Sequence, residues 1–396
     1  MPSTPVMDRL ISRTVERHLP LNVHFDLTYR CNERCIHCYL DHEDYGELTT
    51  VEVKGILDQL AVAGTLFLTF SGGEIFLRRD FFELLAYARQ LRFDVSLKTN
   101  ALLITADRAA RLRALGVRRV QISIYSTDPA VHDAITKVSG SLERSLRAIR
   151  SLKEQGLQVK IACPLMKQNL TAYRTVQALA EELGVPYILD LTITPKMDGD
   201  RSVLALRNSV QELLPVLQDR KLNQKLTQGD EAVRAGGVTA SVTSSGLESG
   251  AYEDIPCSAG HNSCYISPYG DVHPCVQMPM PSGNLRRERF EEIWYGSSEM
   301  QRVRAVRESQ LPLCSTCSIR EYCERCPGLA QMEGGDLLGA YERACELAEL
   351  NAQLAGVENP VSAFHEQQRT ASRLLSNVPG PAQSARLVGI APLGAS

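Results

Sequence analysis

Short apolar runs alternate with amphipathic segments from residue 22 to about residue 193. The apolar runs predict six strands, which are NVHFDLT, TLFLTFS, FDVSLKT, RVQISIY, QVKIAC and YILDLTI. The segments between them repeat apolar residues at i, i+3 and i+4, so they predict helices: VEVKGILDQLAVAG, DFFELLAYARQL, ADRAARLRALG, SLERSLRAIRSLKEQG and AYRTVQALAEELG. Strands that alternate with helices favour an α/β fold with a parallel sheet and helices outside. Periodicity alone does not decide between an open sheet and a partial barrel.

The pattern changes after residue 200. A polar helical piece, SVQELLPVLQDRKLNQKL, precedes the Gly/Ser/Thr-rich stretch AGGVTASVTSSGLESG, and together they predict a connection to a second domain. Residues 251–350 are rich in Cys, Pro and Gly and hold few long apolar runs, so we expect bound metal to stabilise them. The predicted parts are an N-terminal segment 1–20, a barrel 21–235, a cysteine-rich domain 236–350, and a tail 351–396 with one short helix and a disordered end.

The composition indicates a soluble globular protein. Of 396 residues, 44% are hydrophobic and 22% are charged, which suffices for an ample core. The net charge of −3 suggests no basic face for nucleic acid. No apolar run reaches the ~18 residues that a membrane helix needs, and the N-terminus has no secretory apolar region. We therefore expect a cytoplasmic protein that binds neither nucleic acid nor membrane.

Twelve cysteines are unusual in such a chain. The reducing cytoplasm disfavours disulfides, so clustered cysteines are better explained as metal ligands or redox groups. Cys163 stands alone at the end of a predicted strand, and we interpret it as a small buried apolar residue. The other eleven form two groups, three within residues 31–38 and eight between residues 257 and 345.

The first group follows the first strand directly, at the strand end where parallel α/β proteins usually place their chemistry. It consists of Cys31, Cys35 and Cys38. Three thiolates need a fourth ligand to complete a zinc site, and His37 could provide it. A 4Fe–4S cluster held by only three cysteines would instead leave one iron open to bind a substrate or cofactor. The spacing leaves both alternatives open.

The second strand ends in TFSGGE. Gly72 and Gly73 let another molecule approach the backbone closely, and Glu74 could pair with an amine. Together with the cysteine loop and the strand-end segments KTNALLI and QISIYS, this segment resembles the radical SAM superfamily over about residues 20–195. The resemblance implies a partial (β/α)6 barrel. It also implies that the three cysteines bind a 4Fe–4S cluster whose open iron is chelated by S-adenosylmethionine.

The same resemblance implies a set of cofactor contacts. The Gly72-Gly73-Glu74 segment would contact the methionine amine, and His37 takes the position of the family's aromatic residue near the adenine. Many relatives have Asp-Gly after the fourth-strand serine, where this chain has Tyr125 and Ser126. The residues that the resemblance assigns to the cofactor are His37, Gly72, Gly73, Glu74, Thr99, Asn100 and Ser123.

Eight thiolates in the C-terminal part suffice for two closed 4Fe–4S clusters or for two zinc sites, such as zinc ribbons. The spacings Cys264-x5-Gly270-x4-Cys275 and Cys314-x2-Cys317-x5-Cys323 resemble the SPASM domain of radical SAM enzymes that mature peptides and proteins. That resemblance implies an inner auxiliary cluster on Cys257, Cys264, Cys275 and Cys326, and an outer one on Cys314, Cys317, Cys323 and Cys345. Because the ligand count is then complete, His261 and His273 are expected to be turn or surface histidines.

The resemblance implies three 4Fe–4S clusters and S-adenosylmethionine as cofactors, with a reductase such as flavodoxin or ferredoxin as electron donor. We predict oxidation of a ribosomally made peptide, by cross-linking or dehydrogenation. Only about 20 residues precede the first strand, so a separate partner is expected to bind the peptide's leader. The alternatives are modification of a tetrapyrrole or another small cofactor precursor, and a non-catalytic electron carrier or zinc-stabilised binding module. No catalytic acid or base is identified.

Overall fold

A computed structural model of the chain describes residues 5–219 and 254–376. Its first six strands are parallel and lie in the order β6-β5-β4-β3-β2-β1. They are β1 Asn22–Thr28, β2 Phe67–Gly72, β3 Asp94–Thr99, β4 Arg119–Ser123, β5 Gln158–Pro164 and β6 Tyr187–Asp190. Every strand predicted from the apolar runs is present, although β4 and β6 end earlier than predicted.

Helices connect these strands on the outside of the sheet. They are α1 Pro5–Glu16, α2 Thr50–Val62, α3 Phe81–Gln90, α4 Ala106–Ala114, α5 Pro129–Thr136, α6 Ser141–Glu154, α7 Tyr173–Leu183 and α8 Val210–Leu217. The five predicted connecting helices and the predicted fold class are confirmed. Helix α5 was not predicted because it is short. The predicted boundary at residues 235 and 236 and the Gly/Ser/Thr-rich connection lie outside the described residues, as does the predicted disordered end of the tail.

Alternation along the strands separates an apolar outer face from a polar interior. In β1, Val23, Phe25 and Leu27 are buried against the helices, so His24 and Asp26 point into the barrel. The other strands repeat this pattern with period two. Their interior positions include Thr69, Ser71, Ser96, Lys98, Gln121, Lys160 and Asp190. The interior of the barrel is therefore polar and charged.

The cysteine-rich region continues the sheet of the barrel. Strand β7, Ser263–Ile266, pairs in parallel with β1, so that Val23 lies opposite Cys264. Strands β8 Asp271–His273 and β9 Gly283–Asn284 follow as antiparallel neighbours. The remaining helices are α9 Phe290–Gly296, α10 Ser298–Arg304, α11 Glu342–Leu354 and α12 Ala363–Ser376, with short helical turns between α10 and α11. Helix α12 confirms the helix predicted in the tail. None of the helices within residues 5–219 and 254–376 is long and apolar enough to cross a bilayer.

The first half of the cysteine-rich region shares the apolar core of the barrel. Trp294 and Phe290 of α9 and Met300 of α10 are fully buried in that core, and the Trp294 indole donates a hydrogen bond to the His18 carbonyl, 2.5 Å away. The expectation that this region has little apolar core is therefore wrong for residues 263–306. It holds better for residues 308–352, where small separate clusters form around Ile319 and around Leu329.

His261 lies in a turn, as expected, whereas His273 ends strand β8, and both side chains are buried rather than at the surface. The exposed fractions are 2% for His261 and 6% for His273. Their burial follows from the shared core: the His261 ring packs 5.3 Å from the ring of His18 on the barrel, and the His273 ring lies 5.6 Å from that of Tyr265. Burial lowers the pKa of each to about 4.

We expect acid to destabilise the fold between pH 6.5 and pH 4, in part through His261 and His132. Burial lowers the pKa of both from 6.5 to about 4. The unfolded chain therefore takes up protons below pH 6.5 while the folded chain does not, so stability is retained above pH 6.5 and lost towards pH 4. Each histidine should account for roughly 3 kcal/mol over this range. The measurement is the urea concentration at the midpoint of unfolding, monitored by circular dichroism at several pH values.

The variant His261→Phe should lose stability less steeply with falling pH, because its unfolding takes up about one proton fewer. His365→Gln on α12 is the matched control at a less buried histidine. An equally steep loss of stability in the His261→Phe variant would contradict the assignment of this effect to His261.

Candidate active site

The loop with the first three cysteines leaves the carboxyl end of β1 and is held by helix α5. The amide of Arg34 donates to the Thr136 carbonyl at 3.0 Å, and the amide of Ile36 donates to the Ile135 carbonyl at 3.0 Å. Within the loop, the Cys38 amide donates to the Cys35 carbonyl at 3.0 Å. The unpredicted helix α5 therefore fixes the loop that carries these thiols.

The surroundings of the three thiols suit an iron–sulfur cluster. The Asn100 amide nitrogen Nδ2 lies 3.7 Å from Cys31 Sγ, and the Tyr125 hydroxyl lies 3.8 Å from Cys35 Sγ. Such N–H and O–H donors stabilise negative charge on cluster sulfurs. Burial raises the pKa of Cys31 to about 12 and raises the pKa of Cys35 and Cys38 as well, so metal binding has to release their protons.

Within residues 5–219 and 254–376, no three Cys, His, Asp or Glu side chains lie close enough together to bind one single metal ion. The fit to a cluster rests instead on the shared position of the three thiols on one loop and on the donors around them. Each of Cys31 and Cys35 has Cys38 among the charges that raise its pKa, so the three sulfurs are electrostatic neighbours.

The glycine pair at the end of β2 lies directly against the backbone that leads into the cysteine loop. The Gly73 amide donates to the Thr28 carbonyl at 2.8 Å. A Cβ atom on Gly73 would lie 2.3 Å from the Arg30 carbonyl oxygen, and one on Gly72 would lie 2.1 Å from the Thr28 carbonyl oxygen. The close approach that these glycines allow is thus made by the chain itself. Their contact with the methionine amine stays a prediction.

Gly73→Ala should displace the cysteine loop, because the new methyl group would collide with backbone rather than with a movable side chain. We expect loss of the iron on the first loop, from about twelve to about eight irons per chain, with at least a ~10-fold fall in 5′-deoxyadenosine formation. Iron analysis and product chromatography measure both. Gly55→Ala in helix α2 is the matched control, since open space surrounds that Cβ position. Full iron content in the Gly73→Ala protein would contradict this prediction.

Glu74 ties the end of β2 to the end of β3. Its side chain is 0% exposed. Oxygen Oε1 accepts a hydrogen bond from the Phe76 amide at 3.0 Å, and Oε2 accepts from the Thr99 hydroxyl at 2.7 Å and the Asn100 amide at 3.0 Å. Burial raises the pKa of this carboxyl group. Thr99 and Asn100 therefore lie in one network with Glu74, and the direct contacts of these three residues with the cofactor stay predictions.

The residue that replaces the relatives' aspartate packs on the cysteine loop. The Tyr125 ring lies 5.0 Å from the His37 ring at an interplanar angle of 70°. Burial lowers the pKa of His37 to about 4, so its imidazole is neutral at neutral pH. Ser123 ends β4 and pairs with Ala162 of β5, on the same side of the barrel as Tyr125. The sequence marked Tyr125 only as a departure from the family's pattern, and the structure adds it to the site.

The C-terminal cysteines form two neighbourhoods. Burial raises the pKa of Cys257 to about 12 and that of Cys275 to about 11, and in both cases the charge of Cys326 adds to the effect. Cys264 points into the apolar core from β7, with Cys275 as its cysteine neighbour. These four residues are the set that the resemblance implies for the inner cluster.

The second neighbourhood lies between the short helical turns and helix α11. Burial raises the pKa of Cys323 to about 11, with Cys314 and Cys317 as the next causes. Burial likewise raises the pKa of Cys345 to about 12, with Cys323 as the next cause. The amide of Ala363 donates to Cys317 Sγ at 3.5 Å, so this neighbourhood also reaches the start of α12.

A charged network in the barrel interior lies between the cysteine loop and Cys275. The Tyr265 hydroxyl donates to Oδ2 of Asp26 at 2.9 Å and lies 2.6 Å from the hydroxyl of Tyr29. Nε2 of His24 lies 2.9 Å from Oδ1 of Asp26. Burial lowers the pKa of Lys98, against the attraction of Asp26 and other acidic groups.

The sequence analysis did not single out these interior residues, although a signal was present. Asp26 and Lys98 are charged residues between apolar neighbours in two predicted strands, NVHFDLT and FDVSLKT. An ionisable residue at such a position faces a closed interior rather than solvent, which marks it as a candidate for function.

Comparisons with known proteins agree with this geometry. A model of the radical SAM superfamily matches residues 25–200, and a model of the SPASM iron–sulfur cluster-binding domain matches residues 257–318. The AdoMet-dependent heme synthase of Nitratidesulfovibrio vulgaris is 30% identical over 337 residues, which cover 81% of this chain and 90% of that protein. Mycofactocin maturase MftC of Mycobacterium tuberculosis is 30% identical over 331 residues, which cover 81% of each chain.

The crystal structure of Streptococcus suis SuiB bound to S-adenosylmethionine shares the fold, with a TM-score of 0.65 at 18% identity over 85% of this chain and 80% of that chain. A parallel partial barrel with a three-cysteine loop at a strand end defines an enzyme class that depends on an iron–sulfur cluster and S-adenosylmethionine. The chain belongs to the radical SAM superfamily and carries a C-terminal SPASM domain.

Proposed function

We propose that this enzyme oxidises a ribosomally made peptide, by cross-linking or dehydrogenating it, with the help of two auxiliary 4Fe–4S clusters. The observation that carries the proposal is the polar and charged interior of the barrel, which lies between the cysteine loop and Cys275. Asp26 on β1, Lys98 on β3 and Asp190 on β6 interact across this interior, although their strands lie far apart in the sheet.

The first cluster and S-adenosylmethionine, when bound, supply reductive cleavage to a 5′-deoxyadenosyl radical that abstracts hydrogen from a C–H bond. The chain's own residues prepare the site. Glu74 and the glycine pair hold the strand ends together. Asn100 and Tyr125 point hydrogen-bond donors towards the thiols of the cysteine loop. The interior-facing side chains orient the target bond.

The character of the interior favours a peptide over a tetrapyrrole. A tetrapyrrole is a broad apolar ring, and its apolar face would leave polar groups of this interior such as Asp26 and Asp190 without hydrogen-bond partners. Amide groups and one polar or aromatic side chain of a peptide can instead form hydrogen bonds with an interior of this kind.

The auxiliary cysteines provide a route for the remaining electron. A substrate radical has to lose one further electron to become an oxidised product, and Cys275 is among the charges that act on Lys98 in the interior. We propose that an inner cluster on Cys257, Cys264, Cys275 and Cys326 accepts this electron. We include a separate leader-binding partner and a flavodoxin or ferredoxin reductase in the proposal.

A tetrapyrrole precursor is the second candidate substrate. The observation in its favour is that the heme synthase of N. vulgaris and mycofactocin maturase MftC are equally similar to this chain, at 30% identity.

The test compares both substrate classes on the same anaerobically reconstituted full-length enzyme. One arm supplies the peptide encoded by the short open reading frame next to the gene, together with any small protein encoded beside it. The other supplies an iron porphyrin that bears propionate groups. Mass spectrometry should show loss of two hydrogens from the peptide, in step with 5′-deoxyadenosine. Modification of the porphyrin alone would overturn the peptide assignment.

A further inference from the structure

We propose that the ammonium group of Lys98 binds a carboxylate of the substrate inside the barrel. The inference deepens the proposed function, because it names the substrate group that the interior recognises. The carboxylate can belong to a peptide, as its C-terminus or an acidic side chain, or to a tetrapyrrole propionate. The proposal rests on strand register, on the hydrogen bonds around Lys98 and on its position between the two cysteine sets.

Strand register places Lys98 in the polar interior. Val95 and Leu97 of β3 are buried in the core under the helices, so Lys98 faces the opposite way. It pairs with Gln121 of β4, which in turn pairs with Lys160 of β5. These residues form a polar row across neighbouring strands, and Lys98 lies near the carboxyl end of β3.

The acidic groups nearest to Lys98 are hydrogen-bonded to other residues. Both oxygens of Asp26 are used, Oδ1 by His24 and Oδ2 by the Tyr265 hydroxyl, each at 2.9 Å. Oδ1 of Asp190 accepts from the Thr192 amide at 2.9 Å. Neither carboxylate forms an ion pair with Lys98 within the described residues, so both attract the ammonium from a distance.

Within residues 5–219 and 254–376, no group forms a hydrogen bond or a close ion pair with the Lys98 ammonium. The Lys98 side chain is half-buried, so its ammonium can exchange the remaining water around it for a charged partner. An incoming carboxylate would restore both a counter-charge and a hydrogen bond. Burial also raises the pKa of Asp190, which reduces the negative charge that would oppose the incoming anion.

The position of Lys98 relates this anchor to the reaction. The residue after next in the chain is Asn100, whose side-chain amide contacts Cys31 Sγ. On the other side, Cys275 is among the groups that act on Lys98. The Tyr39 side chain is likewise an electrostatic neighbour of both Cys38 and Cys275. A carboxylate on Lys98 would thus hold the substrate between the loop that serves hydrogen abstraction and the cysteines that serve electron removal.

The experiment measures binding to the reconstituted full-length protein by fluorescence anisotropy. The first probe is the labelled peptide from the neighbouring open reading frame, and its derivatives have one carboxylate at a time converted to an amide. In the second arm, an iron porphyrin with free propionates competes for the site against its methyl ester. The variants are Lys98→Met, which removes the charge at similar length, Lys98→Arg, which keeps it, and the control Lys54→Met at a surface lysine paired with Glu83.

Neutralising one particular carboxylate should weaken binding to the unmodified enzyme by about 10- to 100-fold. The Lys98→Met protein should bind the peptide with the free carboxylate about 10- to 100-fold more weakly than the unmodified enzyme does. It should no longer distinguish the carboxylate from the amide. Lys98→Arg should retain most of the discrimination, and Lys54→Met all of it. Equal discrimination by the unmodified enzyme and Lys98→Met would overturn the inference.

This design separates failure of the inference from failure of the proposed function. The enzyme could bind no peptide but distinguish the free-acid porphyrin from its ester in a manner that depends on Lys98. That result would support binding of a carboxylate by Lys98 and overturn the peptide substrate. A peptide that is modified and bound equally well by Lys98→Met would support the peptide substrate and overturn the anchor. The iron content of the Lys98→Met protein should stay at about twelve per chain, which guards against a general loss of the site.

Discussion

Replacing Cys35 with alanine is expected to abolish formation of 5′-deoxyadenosine. The first loop supplies three thiols, and two remaining protein ligands would not retain a cluster that already has one open iron. The side chain packs at the edge of a small apolar cluster with Tyr125 and Ile135, so alanine should leave the fold intact. The C-terminal cysteines lie on other segments and should keep their iron. We therefore expect iron content to fall from about twelve to about eight per chain.

The matched control for this variant is Cys163→Ala. Cys163 is 0% exposed in β5, as the sequence predicted, and belongs to neither group of clustered cysteines. It should retain about twelve irons and full cleavage of S-adenosylmethionine. Undiminished 5′-deoxyadenosine from the Cys35→Ala protein would show that the loop does not hold the active cluster. If the unmodified protein contained only about four irons per chain together with zinc, the assignment of the two auxiliary clusters would be wrong.

The second large effect is expected from Cys317→Ala. Cys317 belongs to the neighbourhood with Cys314, Cys323 and Cys345, and accepts the Ala363 amide. Residues 308–352 have only small apolar clusters, so metal–thiolate bonds should supply much of their folding free energy. We expect loss of about four irons and rapid proteolysis within residues 308–362. Peptide oxidation should fail, while 5′-deoxyadenosine should still form without coupling to product.

The structure also limits the damage expected from Cys317→Ala. Strand β7 and helices α9 and α10 share the core of the barrel through Trp294 and Met300, so they should stay protected from protease. Limited proteolysis with mass spectrometry separates these outcomes, again with Cys163→Ala as the control. Cleavage that spreads equally through residues 263–306, or resistance equal to that of the unmodified protein, would contradict this view of the domain.

The sequence predicted the barrel well because its signals are local. Runs such as NVHFDLT and the period of helix α6 are decided by neighbouring residues in the chain. The cysteine loop was also readable, since its three thiols lie within eight residues. The resemblance of these motifs then led to the superfamily that the comparisons confirm.

What the sequence could not supply depends on contacts between distant segments. The burial of His261 follows from packing against His18, more than 200 positions away in the chain. The Cys-rich composition suggested a weak core, because the sequence does not show that Trp294 packs in the apolar core outside the barrel strands. Likewise, the sequence does not show that Lys98 shares one interior with Asp26 and Asp190.

The pairing of β7 with β1 has a consequence for electron flow. Val23 and Cys264 lie opposite each other in one ladder, and β1 leads directly into the loop with Cys31. Central strands of a buried sheet separate only when the whole fold opens. Redox centres attached to such neighbouring strands would keep a fixed separation, and the rate of electron tunnelling falls exponentially with separation. The hydrogen bonds between these two strands would therefore act as a spacer that sets how quickly a substrate radical can be oxidised before it reacts elsewhere.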